Sequence, residues 1–438
     1  MPTTPAIVLG TGMAGCGAGY ALESRNVPFI CYDRNSYGGG HTRSFRYKNG
    51  FVFDEGGHIS FTRNEHVREV LAKNVGHAFE EQKLKIDNYW RGHRIPHPPQ
   101  CNLHGLPSEL IVSIITDFVS TLNDEPITAE PQTYNAWLHR VYGKTFAETF
   151  PIVYGEKYHT TSMESLTTDW IGPRMYKPNL SEVLRGALEE SVPGVHYVDV
   201  FRYPTTGGFE SYLQSFFERF DIRLNHEVIR IDPQARLVRF RSGADQKYSQ
   251  LISSIPLPEL IPMIDGAPSD VLEAARRLAF TTAVLVNIGL DRDDISETAI
   301  TYFYDSDIAM SRVNLPHLFS KRNAPSGCGC IQAEIYFSDK YRPLTIEPTA
   351  LIDRVIDDLR RCDFIRPRDK ILMSDAGINR YANVIYDHDR TAALELIRGF
   401  LQDVQIFSCG RYGKWNHAWT DQAFLDGEDT AKLAMEQL

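Results

Sequence analysis

A chain of 438 residues with 42% hydrophobic residues has core enough for two or three domains. Its formal charge of −10 excludes the basic footprint of a nucleic-acid-binding protein. No uninterrupted run of about 18 apolar residues offers a membrane span. The cysteines are odd in number and scattered, which points to a reducing, cytoplasmic setting rather than a disulfide framework.

Residues 6–9 (AIVL) read as a buried parallel strand. No basic region precedes them, so no secretory leader is expected. Gly10-Thr-Gly12-Met-Ala-Gly15 follows at once, then a helix-compatible run over 16–24, then a second apolar run over 28–32 that ends at Asp33. Strand, glycine turn, helix, strand and acid together are the parts that hold a dinucleotide. Gly10 allows the tight turn, Gly12 lets backbone approach a pyrophosphate, and Gly15 packs helix on strand. The helix start, with Met13 and Ala14, points free N–H groups at the phosphates. Asp33, 18 residues after Gly15 and followed by Arg34, is placed to accept from a ribose.

The residues after Asp33 select the dinucleotide. Gly38, Gly39 and Gly40 lead into His41 and Thr42, and FDEGGH ends with Gly57 and His58. A second glycine cluster lets backbone lie along a longer ligand. NAD has no need of it, whereas FAD runs on through its ribityl chain to the flavin. FAD is therefore the expected cofactor.

Residues 64–150 read as mainly helical with loops; Val67, Val70, Leu71 and Val75 share one side of a helix over 64–75. NYWRGHRIPHPP at 88–99 reads as an ordered extended loop. His93, His97 and His104 lie nearby, but no carboxylate cluster completes a metal site, and they read as packed or solvated. Amphipathic helices are predicted over 107–122 and 133–150. Residues 154–174 combine aromatics with Lys157 and Trp170, and a further helix is predicted over 180–192. YPTTGGF at 203–209 is a second glycine turn before a helix over 210–220.

Strands predicted over 222–224, 228–231, 237–241 and 251–255 return to a sheet that completes the nucleotide-binding domain, with Val228 against the cofactor. A helix over 271–278 and a strand over 283–290 come after them. Residues 299–304 and 329–337 are strand-like, separated by a polar loop holding Arg312. Cys328-Gly-Cys330 lacks further ligands at metal spacing. A helix over 348–361, a segment over 371–386 with Arg380 and Tyr386, a helix over 392–402 and a strand over 404–409 come next. GRYG at 410–413 is a third glycine turn, and a final helix is predicted from near Gly427. The expected fold class is α/β. A discontinuous Rossmann-like FAD-binding domain takes residues 1–65, 195–275 and 395–438. A mainly helical substrate-side insert takes 66–194, and an antiparallel-sheet substrate domain takes 276–394.

These motifs resemble the flavin amine oxidase and protoporphyrinogen oxidase superfamily and, within it, the UDP-galactopyranose mutases of eukaryotic type. The likeness rests on FDEGGHISF (53–61), IPHPPQCNLHGLP (95–107), PQTYNAWLHRVYG (131–143), FRYPTTGGF (201–209) and GRYGKWNHAWTDQAFLDG (410–427). Tyr302 precedes Arg312 by ten residues and Tyr386 follows Arg380 by six, as in the mutases. The resemblance implies that these four residues contact the diphosphate of a sugar nucleotide, with Arg312 and Arg380 also serving catalysis. It implies that His58 lies near the flavin, and that Gly410, Arg411, Asp421, Gln422 and Ala423 bind it. One segment departs from the mutase pattern. Where the mutases give an asparagine and a tryptophan to uridine, the nearest matches here are Gly155 and Tyr158 or His159, so the base stays open. The implied reaction is a pyranose–furanose ring isomerisation through attack of the reduced flavin N5 on the anomeric carbon. Its partners are a nucleoside-diphosphate sugar and NAD(P)H or a flavin reductant. The alternative is an FAD-dependent oxidase or dehydrogenase.

Overall fold

In the computed structural model, which describes residues 4–123, 131–172, 175–190 and 200–437, segments from the whole length of the chain meet in one parallel sheet. Its strand order is Ile406–Ser408, Leu251–Ser253, Ala6–Leu9, Phe29–Tyr32, Ile222–Arg223. Every pairing is parallel. Ala6–Leu9 is central and buried on both faces, which is why it reads as an unbroken apolar run. Val8 packs into the layer of helix Met13–Ser24, and Ile7 and Leu9 pack to the other side against Leu257 and Val271.

Helix Met13–Ser24 lies against the C-terminal helix Thr420–Glu436 at backbone distance. A Cβ on Gly17 would sit 2.0 Å from the Phe424 carbonyl oxygen, and one on Gly427 would sit 2.0 Å from that of Ala14. The last helix starts at Thr420 rather than near Gly427. Gln422 accepts from the Trp419 N–H at 3.0 Å, and Asp421 stands in the first turn, where the helix dipole favours an acid. Gly427 is thus a packing position within the helix.

The second sheet has seven strands, in the order Ile371–Val384, Phe280–Leu290, Gly329–Phe337, Arg312–Asn314, Ile300–Phe303, Ile86–Trp90, His93–Pro96. Only Ile300–Phe303 and Ile86–Trp90 run parallel. One face is apolar: Val284, Val286, Val313, Ile331, Ala333 and Ile335 pack on Val355 and Leu359 of helix Ile352–Arg361. The other face carries the polar residues discussed below.

Three expectations change here. Residues 86–96 are a hairpin, not an extended loop. Arg91 (φ 47°) and Gly92 (φ 83°) form its tight turn, a conformation that suits the strand twist. Arg312 opens a strand rather than sitting in a polar loop. The region before residue 96 is also less helical than expected, because Phe79–Lys83 pairs with Val200–Pro204.

Helices Ser108–Asn123, Tyr134–Tyr142, Lys144–Thr149, Pro151–His159 and Leu180–Leu188 enclose a separate core of Phe118, Trp137, Phe146 and Phe150. The helix expected over 133–150 breaks at Gly143, whose φ of +77° and approach to Asp117 (2.8 Å from an added Cβ) admit no side chain. Leu180–Leu188 opens with a capping box of Asn179 and Glu182. Residues 173–174, 191 and 192 of the predicted segments lie outside the described residues, as do 193–194 and 195–199 at the expected domain boundary.

Candidate active site

A cavity of about 660 Å³ runs from the glycine turn of the parallel sheet to the polar face of the seven-stranded sheet. At the first end, Gly10 adopts φ +95°, a left-handed turn that favours glycine. Gly12 lines the cavity beside the Gly39–Gly40 backbone, which an added Cβ would touch at 3.6 Å. Gly15 does not line the cavity; a Cβ there would be 2.0 Å from the Gly10 oxygen, so its role is to seat the helix. Asp33 is fixed by Thr11, whose N–H and hydroxyl donate to Oδ2 at 3.0 and 2.6 Å. Met13, Ala14, Asp33, Arg34 and Val228 line this end. Arg34 reaches over to Glu259 at 2.6 Å.

Gly39, Gly40, His41 and Thr42 continue the wall. Thr42 is anchored by its hydroxyl to the Gly39 oxygen at 2.7 Å, and His41 pairs with Glu55 at 3.0 Å. The loop bearing Gly57 and His58 comes next. Asp54 roots it, accepting from Tyr203, Ser44 and the Phe209 N–H at 2.6–3.0 Å; burial raises its carboxyl to about 6. His58 donates from Nδ1 to the Gly56 oxygen at 2.8 Å, since a carbonyl only accepts. Burial lowers the ring to about 4, so it is neutral at pH 7.

The far wall is built by register. Tyr302 lies opposite Arg312, and Arg312 opposite Glu334, across consecutive antiparallel pairs. The ten-residue spacing between Tyr302 and Arg312 is therefore a cross-strand pairing. Arg312 donates to Glu334 from Nε at 3.0 Å and from Nη2 at 2.7 and 2.8 Å. Burial pushes the Glu334 carboxyl up, but the Arg312 charge and its hydrogen bonds hold it below the ordinary range. Burial likewise opposes the Arg312 charge, and Glu334 outweighs it. Tyr154, Tyr158, Tyr302 and Tyr336 surround the pair; Tyr154 and Tyr158 stack at 5.6 Å and Tyr158 meets Tyr336 at 4.9 Å. Burial raises Tyr154, Tyr302 and Tyr336, which keeps their hydroxyls protonated as donors.

Gly410, Arg411 and Ala423 close the cavity from the C-terminal segment. Arg411 donates from Nη2 to Asn383 Oδ1 at 2.7 Å, an oxygen that also accepts from Tyr158 at 2.7 Å. Arg411 is in no ion pair among the described residues. Two buried polar atoms of the cavity lining have no protein partner: Arg411 Nε and Asn379 Oδ1. Buried polar atoms are normally satisfied. A ligand carrying both donors and acceptors fits these atoms, and a dinucleotide fits the glycine cradle.

The structure separates some residues that their sequence spacing groups together. Arg380 reaches only the cavity's outer part, is mostly exposed, and sits by Asp339 (3.5 Å), Phe280 and Tyr381. Tyr386 lies outside this cavity; with Gln422 it lines a smaller one, and its hydroxyl accepts from the His417 N–H at 3.0 Å. Asp421 lines neither. Glu334, Tyr336, Tyr154 and Asn383 were not foreseen. For Glu334 and Tyr336 a signal existed, since Gln332, Glu334 and Tyr336 alternate with Ile331, Ala333 and Ile335.

A family model for an NAD(P)-binding Rossmann-like domain matches residues 8–73. Among solved structures, a reduced UDP-galactopyranose mutase superposes with TM-score 0.93 at 23% identity, covering 100% of this chain and 96% of that one. The chain has the UDP-galactopyranose mutase fold. A protein from Exiguobacterium sp. 255-15 assigned as a protoporphyrinogen oxidase follows at TM-score 0.75 and 15% identity, with 100% of each chain covered. A putrescine oxidase double mutant with redesigned cofactor binding matches at TM-score 0.64 and 13% identity, over 99% of each chain. The resemblance read from the motifs thus holds at the level of fold. No helix among the described residues is long and apolar enough to cross a membrane.

Proposed function

We propose that the protein is an FAD-dependent sugar-nucleotide mutase that interconverts ring forms of a nucleoside-diphosphate sugar. One observation carries the reading: beyond the dinucleotide cradle, the cavity wall brings Arg312 and Arg411 among tyrosine hydroxyls, with Arg380 at its outer part. A diphosphate leaving group needs permanent cations and neutral donors, and this end supplies both.

The cradle of Gly10 and Gly12 at the start of helix Met13–Ser24 would take the pyrophosphate of FAD, and Asp33 a ribose. When bound and reduced, FAD would supply the nucleophile for reaction at the anomeric carbon, with no net redox change. The protein's own groups hold and orient. Arg411 brings a charge that no carboxylate among the described residues pairs with. Arg312 offers its remaining Nη1 edge, since Glu334 takes Nε and Nη2. We therefore assign the diphosphate to Arg312 and Arg411, with Tyr302 beside Arg312 as a donor, rather than to Arg312 and Arg380. His58, neutral and held by Gly56, shapes the flavin side without adding charge.

The test is to load the protein with FAD, reduce it with dithionite, and supply a panel of sugar nucleotides. Isomers of unchanged mass, formed only with reduced flavin, are expected. Oxygen consumption with an oxidised product and no need of reductant would replace this reading with an oxidase.

A further inference from the structure

We infer that Glu334 is a positioning residue that couples an anion at Arg312 to the loop of Gly56, Gly57 and His58. The inference rests on Arg312 belonging to an anion site, and its test separates that reading from the coupling itself.

The Glu334 carboxylate receives more donors than its roughly four lone-pair positions can serve well. Oε1 accepts from Arg312 Nη2 and Asn314 Nδ2, both at 2.8 Å, and from the Gly57 N–H at 3.4 Å. Oε2 accepts from Arg312 Nε and Nη2 and from the Tyr336 hydroxyl. The Gly57 contact is the longest of these and so the most easily tuned. Gly57 has no room for a side chain on this side: a Cβ built on it would lie 2.4 Å from Asn314 Oδ1, an oxygen with no partner of its own. The Gly57 backbone thus packs against the hydrogen-bonded Asn314–Glu334 pair. The His58 ring follows that peptide, because Nδ1 is bonded to the Gly56 oxygen.

An anion at Arg312 competes with Glu334 for the same guanidinium. As Arg312 turns part of its field to the anion, Glu334 becomes the stronger acceptor for its remaining donors. Gly57 is drawn toward Oε1, and the His58 ring moves with it. Occupancy at the substrate end then sets the loop that borders the flavin end.

The experiment uses the FAD-loaded protein with UDP and, separately, pyrophosphate as probes. The readouts are amide hydrogen exchange across residues 55–58 and the flavin absorbance spectrum. In the native chain each anion is expected to slow exchange at Gly57 and shift the spectrum. Glu334→Gln keeps the shape and removes the competing charge. It should bind both anions about tenfold tighter while losing both responses. A Glu334 with only a structural role would alter thermal stability but leave the anion dependence of exchange unchanged. Protection that persists in Glu334→Gln overturns the coupling, and so does anion binding that leaves Gly57 unaffected in the native chain. A response to pyrophosphate but not to UDP overturns the sugar-nucleotide reading and supports the coupling. If neither anion binds, both fall. If Glu334→Gln does not fold, Tyr336→Phe removes one competitor for Oε2 and keeps the carboxylate. Anion affinity should then weaken several-fold with the Gly57 response retained; unchanged affinity overturns the coupling.

Discussion

Three arginines illustrate how burial and partners, rather than residue type, decide a role. Arg411 faces the cavity with no ion-pair partner among the described residues, Arg312 shares its charge with Glu334, and Arg380 is solvated beside Asp339. Arg411→Ala should weaken UDP binding by about a hundredfold, while Arg380→Ala should change it by less than about threefold, as titration calorimetry would read. Comparable losses at the two positions would restore Arg380 to the site. Arg312→Leu should destabilise the fold by about 3 kcal/mol at pH 7, because Glu334 is left buried without its partner; urea denaturation measures this. His58 gives a pH signature. The unfolded chain takes up its proton near the ordinary histidine value of about 6.5, but the folded chain waits until about 4. Between those values the unfolded state holds more protons, so this contribution to stability is complete above the window and is lost as pH falls through it. Its size is at most about 3 kcal/mol. His58→Asn should flatten the acid limb of a stability–pH curve by that amount; an unchanged limb would remove His58 as its source.

At the scale of elements, the floor of the site is a consequence of strand alternation. Residues that alternate along Gly329–Phe337 send Ile331, Ala333 and Ile335 into the core and Glu334 and Tyr336 to the cavity. That pattern was legible, but its chemical meaning was not, because Glu334 acquires a role only from Arg312 on the neighbouring strand. The hairpin at residues 86–96 was obscured for a different reason. Its strands carry Asp87, Asn88, Arg94 and Pro96, and its polar groups are satisfied by contacts such as Arg94 Nη2 donating to the Cys362 oxygen at 3.1 Å. Gly427, expected near the start of the last helix, is instead a packing position within it. Gly427→Ala should force the first and last helices apart, since the added carbon would lie 2.0 Å from the Ala14 oxygen. A loss of about 2–4 kcal/mol is expected by thermal denaturation, with weaker FAD retention. A neutral outcome would show that these helices yield without cost.

Over the whole molecule, one cavity is assembled from segments hundreds of residues apart. The strand Ile406–Ser408 is the edge of the parallel sheet, and the segment after it supplies Gly410, Arg411 and Ala423 to the cavity. A chain ended after residue 405 keeps the glycine turn yet should lose bound FAD on gel filtration; co-elution of flavin would show that the first 405 residues suffice. The local sequence alone determined the glycine turn, the acid after the second strand, and most helix and strand positions. Those features come from backbone sterics and hydrophobic period, which act over a few residues. Only the tertiary structure decided that Arg312 meets Glu334, that Arg411 bonds Asn383 while Arg380 stays mostly exposed beside Asp339, and that Tyr386 turns to His417. Those outcomes depend on strand register and on which charges share a buried space, and neither is written in the spacing of any one segment.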